Sequence, residues 1–596
     1  MTATRIRRVV PRLIATLLAG GGASLSSTAF TAPTTTTASV TTDTEHPRGP
    51  GMSNARSKIS RASSSADRTL LRLYLAIYIT ATGVLVLVAV TATLMAIANL
   101  QPWIFGPIAA VSGLTLFLAY HKRHREFRLR QHIPGPKPAF FMGNLADLLT
   151  FGQGHRDLAL GKLHEKYGPI VRIHLGWGSR PYVSANRASK NLHNRSFDSN
   201  RQADRTILPI SMMGMPGGEE LQSHRRSIGN LLNRTALGHF KHEADAFAVQ
   251  FTERNGADGA GDPESPTTLL REVQSWSANS LGRLLFGTSW RSPDLPRYLD
   301  CLGRIEEEIG YRAFHPPFRR FIFLHRTLQT RSAYRYLAST LSAMLDNRGC
   351  PVATKGAGED RATVAERIRK EDGWRRRQRI EEVMSLVLGG TDAMTYAITQ
   401  SLIELSHNPQ IQHKVQASWA PAGDGEPRKN KEASEMVRAV FYETLRLHPP
   451  VPFSSKCSDR LDVEEGGILI PAGTNLLWAK PAIGVNPEIF EEALRFDPSR
   501  FEEGASLADF LPFGAGPRHC IGSQAAEQLC IALLSHILRA FSVEPVNDAV
   551  MTLTAKVAVV PSCIPVRLQP LTSRFHEASR PAVGQNSGKC LWPARM

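Results

Sequence analysis

Phe513-Gly514-Ala515-Gly516-Pro517-Arg518-His519-Cys520-Ile521-Gly522 places one cysteine in a loop that two glycines and a proline keep out of regular helix or strand. Gly522 then opens an apolar run that continues through Leu538. Cys520 therefore stands at a helix start. Unpaired N–H groups and the positive end of the helix dipole lower a thiol's pKa there and can hydrogen-bond to its sulfur. The pattern is that of a thiolate presented to a cofactor.

A lone thiolate suits haem iron as an axial ligand, where its electron donation favours O–O cleavage. Structural zinc usually takes four ligands instead. Taken alone, Cys520 also reads as one more buried cysteine, the commonest fate of that side chain. With Phe513, Gly516, Arg518 and Gly522 at their spacings, the segment resembles the haem-binding loop of the cytochrome P450 family, the haem-thiolate monooxygenases. The resemblance implies a mostly α fold with small β-sheets from about His132 to Pro570. It makes Cys520 the axial ligand of haem b (iron protoporphyrin IX) and Arg518 a partner of a haem propionate.

Upstream, Phe496-Asp497-Pro498-Ser499-Arg500-Phe501 matches the family's Phe-x-Pro-x-Arg-Phe. Glu443-Thr444-Leu445-Arg446, in a helix ending at His448-Pro449-Pro450, matches Glu-x-x-Arg. Glu and Arg at this spacing share a helix face and in isolation form a weak surface pair. The resemblance instead implies a buried structural triad of Glu443, Arg446 and Arg500, whose loss costs fold and haem. Ile468 to Thr474 reads as strand and turn. Lys456 falls where the family often carries a propionate-binding arginine, although an ammonium is a poorer bidentate partner than a guanidinium.

Ile380 to Ser406 is the longest uninterrupted helical pattern outside the N-terminal region and ends at Asn408-Pro409. Inside it lies Gly389-Gly390-Thr391-Asp392-Ala393-Met394. A glycine in a helix costs roughly 1 kcal/mol relative to alanine, so the pair implies a packing or ligand reason. The stretch resembles the family's oxygen-binding motif, Ala/Gly-Gly-x-Asp/Glu-Thr-Thr/Ser. That implies room for oxygen at Gly390 and proton delivery through Asp392, with Ala393 replacing the usual threonine. Thr391 and Thr395 lie two positions away, about 200° around the helix, so neither substitutes by simple geometry. A substrate hydroxyl, an ordered water, or a reaction without the usual oxygen activation remain, the first two together being preferred. Earlier, Gly218 to Leu232 reads as a helix carrying His224-Arg225-Arg226. The family has Trp-x-x-x-Arg here, directed at a propionate; this chain has Leu221 and keeps Arg225. A solvated helix face explains Arg225 equally well.

The rest of the domain reads as a helix over Asp157 to Tyr167, strands at Val171 to Leu175 and Tyr182 to Ser184, and helices over Thr267 to Leu345 broken at Pro316-Pro317. Val550 to Leu568 alternates as closing strands.

Before the domain, residues 1–68 read as a targeting or disordered extension, basic and without an acid before Asp43. Residues 69–121 read as a membrane anchor, because Leu73 to Ala98 is uncharged and longer than the ~20 residues a spanning helix needs. Trp103 to Tyr120 adds a second apolar stretch. Basic flanks on both outer sides favour a hairpin with cytosolic ends, and a single span with an interfacial segment remains the alternative. Residues 122–138 form a basic flank and a proline-rich hinge, Ile133-Pro134-Gly135-Pro136-Lys137-Pro138. Residues 139–570 are the catalytic domain and 571–596 a disordered tail.

The seven cysteines are scattered, odd in number and without a C-x-x-C pair, which argues against a disulfide framework. The net charge of +18 clusters at the N-terminus, beside the apolar segments and around Arg375 to Arg379. Membrane lipids and an acidic protein partner fit that distribution better than nucleic acid. The resemblance implies a monooxygenase that inserts one oxygen atom from O2 into a lipophilic small molecule of secondary or lipid metabolism. No Rossmann fingerprint is visible, so electrons are expected from NADPH through a separate flavoprotein reductase, with cytochrome b5 a second candidate donor. The endoplasmic reticulum, with the domain in the cytosol, is the expected location, and a mitochondrial membrane the alternative. Two rival functions stay open. Ala393 favours a haem-thiolate isomerase or dehydratase acting without O2. A noncatalytic haem sensor would leave Asp392 idle.

Overall fold

The structure is a computed structural model. It describes residues 132–138, 143–144, 156–174, 182–186, 197–198, 207–229, 232, 266–287, 290, 293–314, 324–346, 363–419, 427–458, 463–465, 467–472, 474–502, 510–546, 551, 553–555 and 557–571. All of them belong to the unit that starts at Arg56. The expected extension, membrane anchor and most of the tail and basic flank lie outside the described residues. Among the described residues no helix is long and apolar enough to cross a membrane.

In chain order come α1 (Arg156–Tyr167), β1 (Ile170–Ile173), β2 (Tyr182–Ala185), β3 (Phe197–Asp198), α2 (Glu219–Gly229), α3 (Pro266–Phe286), α4 (Leu295–Phe314), α5 (Leu324–Asp346), α6 (Val364–Lys370), α7 (Arg376–His407), α8 (Pro409–Ala417) and α9 (Pro427–Leu447). Then follow β4 (Phe453–Ser458), β5 (Val463–Glu465), β6 (Ile468–Ile470), β7 (Asn475–Ala479), α10 (Lys480–Gly484), α11 (Ser523–Ala540), β8 (Phe541–Pro545), β9 (Leu553–Ala555), β10 (Val559–Pro561) and β11 (Val566–Pro570). Short 3-10 turns occupy Pro498–Phe501 and Gly516–Arg518.

One sheet has the order β1-β2-β7-β4-β3. The two strands expected from alternation pair as β1 and β2, antiparallel, with Ile170 opposite Ala185. Its continuation is not local: β7 lies parallel to β2, with Tyr182 against Asn475, and β4 runs antiparallel to β7. Every residue of β7 is buried, which fits a run rich in Leu and Trp at the centre of a covered sheet. The proline-rich hinge is fastened to β1, since Arg172 N–H donates to Pro134 O at 2.7 Å. Buried Asn144 exchanges bonds with His174, donating from its N–H at 2.6 Å and accepting on Oδ1 at 2.9 Å.

The helices pack around α7. Its 32 residues span about 48 Å at ~1.5 Å per residue, and Asn408-Pro409 ends it because the residue before proline avoids the helical region. It lies against α3, α5, α9 and α11 and is buried along most of its length. Buried hydroxyls along it bond to their own helix: Thr391 Oγ1 donates to Val387 O at 3.0 Å, Thr395 Oγ1 to Thr391 O at 2.9 Å and Ser401 Oγ to Ala397 O at 2.9 Å. Glu308 of α4 accepts from Arg312 at 2.7 Å and from Arg326 of α5 at 2.9 Å, which joins those two helices.

Candidate functional site

The cysteine loop is a closed turn. Gly514 and Gly516 take φ of +72° and +70°, a left-handed conformation that costs a side-chain-bearing residue about 1–2 kcal/mol. The turn lets Cys520 N–H return to Phe513 O at 2.9 Å, while His519 N–H donates to Gly516 O at 2.9 Å. Phe513 stands edge-on to Tyr442 of α9, ring centroids 6.5 Å apart, which fixes the loop's entry. Gly522 is the cap of α11, and its carbonyl accepts from Ala526 N–H at 2.8 Å. Cys520 is exposed at the end of this turn, whereas Cys301, Cys530 and Cys563 are buried. Burial pushes all three of those thiols up, Cys530 most strongly.

Two guanidiniums brace the loop. Arg518 Nη1 donates to Met212 O at 2.9 Å and Nη2 to Met215 O at 2.6 Å. Arg225 of α2 donates from Nη2 to His519 O at 2.6 Å, so it faces the loop rather than bulk solvent. Ile521 also packs within 3.7 Å of a Cβ position at Gly229, the end of the same helix. Lys456 sits on β4 opposite Leu476 in β7, and its side chain lies outside the described residues.

On α7 the open strip is narrow: Gly389 is exposed, Gly390 and Ala393 are half-buried, and Thr391, Asp392, Met394 and Thr395 are buried. The two glycines differ in what they face. A Cβ built at Gly390 would lie 2.8 Å from Leu281 Cδ2 of α3, whereas at Gly389 the nearest atom is Met213 Cε at 3.8 Å. Gly390 therefore faces α3, and the more open of the two positions is Gly389, one turn before Ala393. Thr395 Oγ1 reaches Ser277 at 3.1 Å as well as its own helix. Both threonines beside Ala393 are thus engaged away from the strip.

The acid–base triad is uneven. Arg446 donates to Glu443 from Nε at 2.7 Å and from Nη2 at 2.6 Å, both residues being fully buried. Arg500 Nε stays 3.7 Å from Glu443 Oε1, beyond hydrogen-bond length, and its Nη2 donates to Glu491 O at 2.6 Å. Burial pushes the Glu443 carboxyl up, against the pull of the Arg446 guanidinium.

A second buried acid pair escaped the sequence reading. Glu381 and Glu382 lie adjacent on α7, both fully buried. Glu382 contacts His224 of α2 through Nδ1 and accepts Met212 N–H at 2.8 Å. Burial pushes its carboxyl up, with His224 opposing. Adjacent acids inside a long buried pattern, with a histidine beside Arg225, were the signal present in the sequence.

The residues fit a haem held by one thiolate. Cys520 is exposed, unlike buried Cys301, Cys530 and Cys563, and it stands on a loop closed by backbone bonds. Arg518 and Arg225 bring positive charge to the same loop. An exposed glycine on a central helix provides space that a side chain would fill.

Comparison with known proteins agrees with this donor set. A protein-family model described as Cytochrome P450 matches residues 133–564. The chain is 24% identical over 482 residues to cytochrome P450 4c21 of Blattella germanica, covering 74% of this chain and 94% of that protein. It is 26% identical over 463 residues to geraniol 8-hydroxylase of Catharanthus roseus, covering 72% and 90%. It is 25% identical over 438 residues to amorpha-4,11-diene 12-monooxygenase of Artemisia annua, covering 70% and 86%.

Proposed function

The chain belongs to the cytochrome P450 family, and from that premise we propose that it is a membrane-anchored enzyme that inserts one oxygen atom of O2 into a lipophilic small molecule. Its class is that of a monooxygenase of secondary metabolism, with haem as cofactor and a redox partner as electron source. The apolar stretch Leu73 to Ala98 supports the anchor, and basic residues on both flanks support a cytosolic domain; the endoplasmic reticulum is the location we propose, with a mitochondrial membrane as the alternative. Two relatives are named for geraniol and amorpha-4,11-diene, which supports a lipophilic substrate here. Electrons from NADPH reach the enzyme through a separate flavoprotein reductase, with cytochrome b5 as a second donor and a basic surface as the docking face.

The observation that carries the reading is Cys520, exposed at the start of α11 on a loop braced by Arg518 and Arg225. Haem, when bound, supplies oxygen activation at an iron that a thiolate makes electron-rich. The chain supplies the rest. Cys520 would bind the iron, and Phe513, Gly516 and Gly522 shape its loop. Arg518, Arg225 and Lys456 would neutralise the haem carboxylates. Gly389 and Ala393 would leave space for oxygen and substrate, and buried Asp392 would serve proton delivery. Ala393 has no hydroxyl, and Thr391 and Thr395 are bonded elsewhere, so the last donor is a hydroxyl of the substrate or an ordered water.

The same alanine favours one other reading, a haem-thiolate isomerase or dehydratase that takes an already oxidised substrate. Incubation of a terpenoid and fatty-acid panel with reductase, NADPH and 18O2 separates the two. One labelled oxygen per product is expected. Turnover of an epoxide or peroxide without O2 and reductant, with no labelled product, overturns the monooxygenase reading.

A further inference from the structure

Residues 207–216, Ile-Leu-Pro-Ile-Ser-Met-Met-Gly-Met-Pro, form neither helix nor strand of more than a turn, yet Leu208, Ser211, Met212 and Met215 are buried. Buried backbone groups in such a segment require partners from elsewhere. They come from two directions. From α7, Glu382 Oε1 accepts Met212 N–H at 2.8 Å and Glu381 Oε2 accepts Ile210 N–H at 3.2 Å. From the cysteine loop, Arg518 donates to Met212 O at 2.9 Å and to Met215 O at 2.6 Å. Met212 is thus gripped on its N–H by a carboxylate and on its carbonyl by a guanidinium. The next side chain, Met213, brings Cε to 3.8 Å from the Cβ position of Gly389.

Glu382 is itself held in place. His224 contacts it through Nδ1, stacks on Trp374 with ring centroids 4.0 Å apart, and meets the Gln378 amide at Nε2 across 3.0 Å. Arg225, the next residue of α2, donates to His519 O beside the cysteine. Adjacent residues of one helix therefore hold α7 and the cysteine loop, and the 207–216 segment closes the circuit between them.

We propose that the His224–Glu382 pair is a positioning pair, which fixes the Met212 peptide and thereby sets both Arg518 beside Cys520 and Met213 over the open strip of α7. Met213, flexible and polarisable, is then the specificity-determining side chain that the pair places. This rests on the haem-thiolate reading. The pair touches neither substrate nor haem; it acts through the peptide it holds.

The test uses the full-length haem protein with two probes of different size, imidazole and 4-phenylimidazole, whose binding is read from the haem absorption spectrum. The ratio of their dissociation constants measures the space at the strip. In Met213→Ala the ratio shifts by about fivefold or more with the melting temperature unchanged. In Glu382→Leu and Glu382→Gln it shifts in the same folded protein, and the double variant with Met213→Ala shows less than the sum of the single effects, as coupled neighbours do. Should Glu382→Leu not retain haem, Glu382→Gln decides alone. Variants that lower the melting temperature but leave the ratio at the wild-type value, or effects that add independently of Met213, overturn the proposal. A wild-type protein whose reduced, carbon monoxide-bound spectrum lacks the thiolate band, while imidazole still binds its haem, fails the haem-thiolate reading instead.

Discussion

A methyl group added at Gly390 would sit 2.8 Å from Leu281 Cδ2, whereas one at Gly389 meets nothing nearer than Met213 Cε at 3.8 Å. Both changes gain the same helix propensity, so their difference isolates packing. Gly390→Ala is expected to be less stable than Gly389→Ala by about 1–2 kcal/mol in denaturant unfolding, because Leu281 must turn within a filled interface. Gly389→Ala keeps the fold and narrows the strip, which a weakened spectral response to bulky ligands will show. Ala393→Thr introduces the missing hydroxyl. It is expected to change the ratio of product to hydrogen peroxide and the substrate range while haem binding persists; unchanged peroxide leakage and products across a panel count against a role for the position. The sequence exposed a glycine pair that needed a reason and an alanine where a hydroxyl is usual. It did not show which glycine faced which neighbour, because one step of about 100° around a helix separates an interface from an opening, and α3 lies more than a hundred residues upstream. Glu382 was hidden for a similar reason, since its partners His224 and Met212 are over 150 residues away.

At the scale of elements, Arg446 fastens α9 to the segment after α10. Besides Glu443, its guanidinium reaches Gly484 O, Ala493 O at 2.6 Å and Arg495 O at 3.0 Å, and Glu443 accepts Asp497 N–H at 2.7 Å. Removing one member of a fully buried pair costs about 3–5 kcal/mol, because the other charge stays without compensation. Arg446→Ala is therefore expected to yield little folded haem protein. Arg500→Ala, which removes a contact at 3.7 Å and a bond to Glu491 O, is expected to fold with reduced stability. Haem content per polypeptide after expression ranks the two, and equal losses would mean that Arg500 shares the burden. The motifs Glu-x-x-Arg and Phe-x-Pro-x-Arg-Phe announced all three residues. Their unequal roles were not legible, since the carbonyls that Arg446 binds belong to Gly484, Ala493 and Arg495, which carry no motif. The sheet shows the same limit: β1 and β2 were readable from alternation, whereas the parallel partner β7 comes from almost three hundred residues later.

For the molecule as a whole, the small sheet and α1 carry a pH-sensitive joint. His164 of α1 is buried, donates from Nδ1 to Gly168 O at 3.0 Å and accepts the Ser184 hydroxyl of β2 on Nε2 at 2.9 Å, the tautomer those partners require. Burial lowers its pKa from the ordinary value of 6.5, with the Gly168 carbonyl opposing. A histidine that folds neutral contributes stability that is complete above about pH 6.5 and is lost as pH falls through the lowered folded value. Melting temperature is expected to drop between pH 7.5 and 5.5, and His164→Gln to flatten that slope; an unchanged slope would place the acid sensitivity elsewhere. The global architecture was legible because four ordered motifs lie between Gly389 and Gly522, on α7, on α9, in the Pro498–Phe501 turn and in the cysteine loop. What they serve, by this account, is a haem held by Cys520. The most direct test is the absorption spectrum of the reduced, carbon monoxide-bound protein, recorded for wild type and for Cys520→His. The account predicts the strongly red-shifted thiolate band in the wild type and its loss in the variant. A wild type that binds haem without that band, or a variant that retains it, would contradict the account.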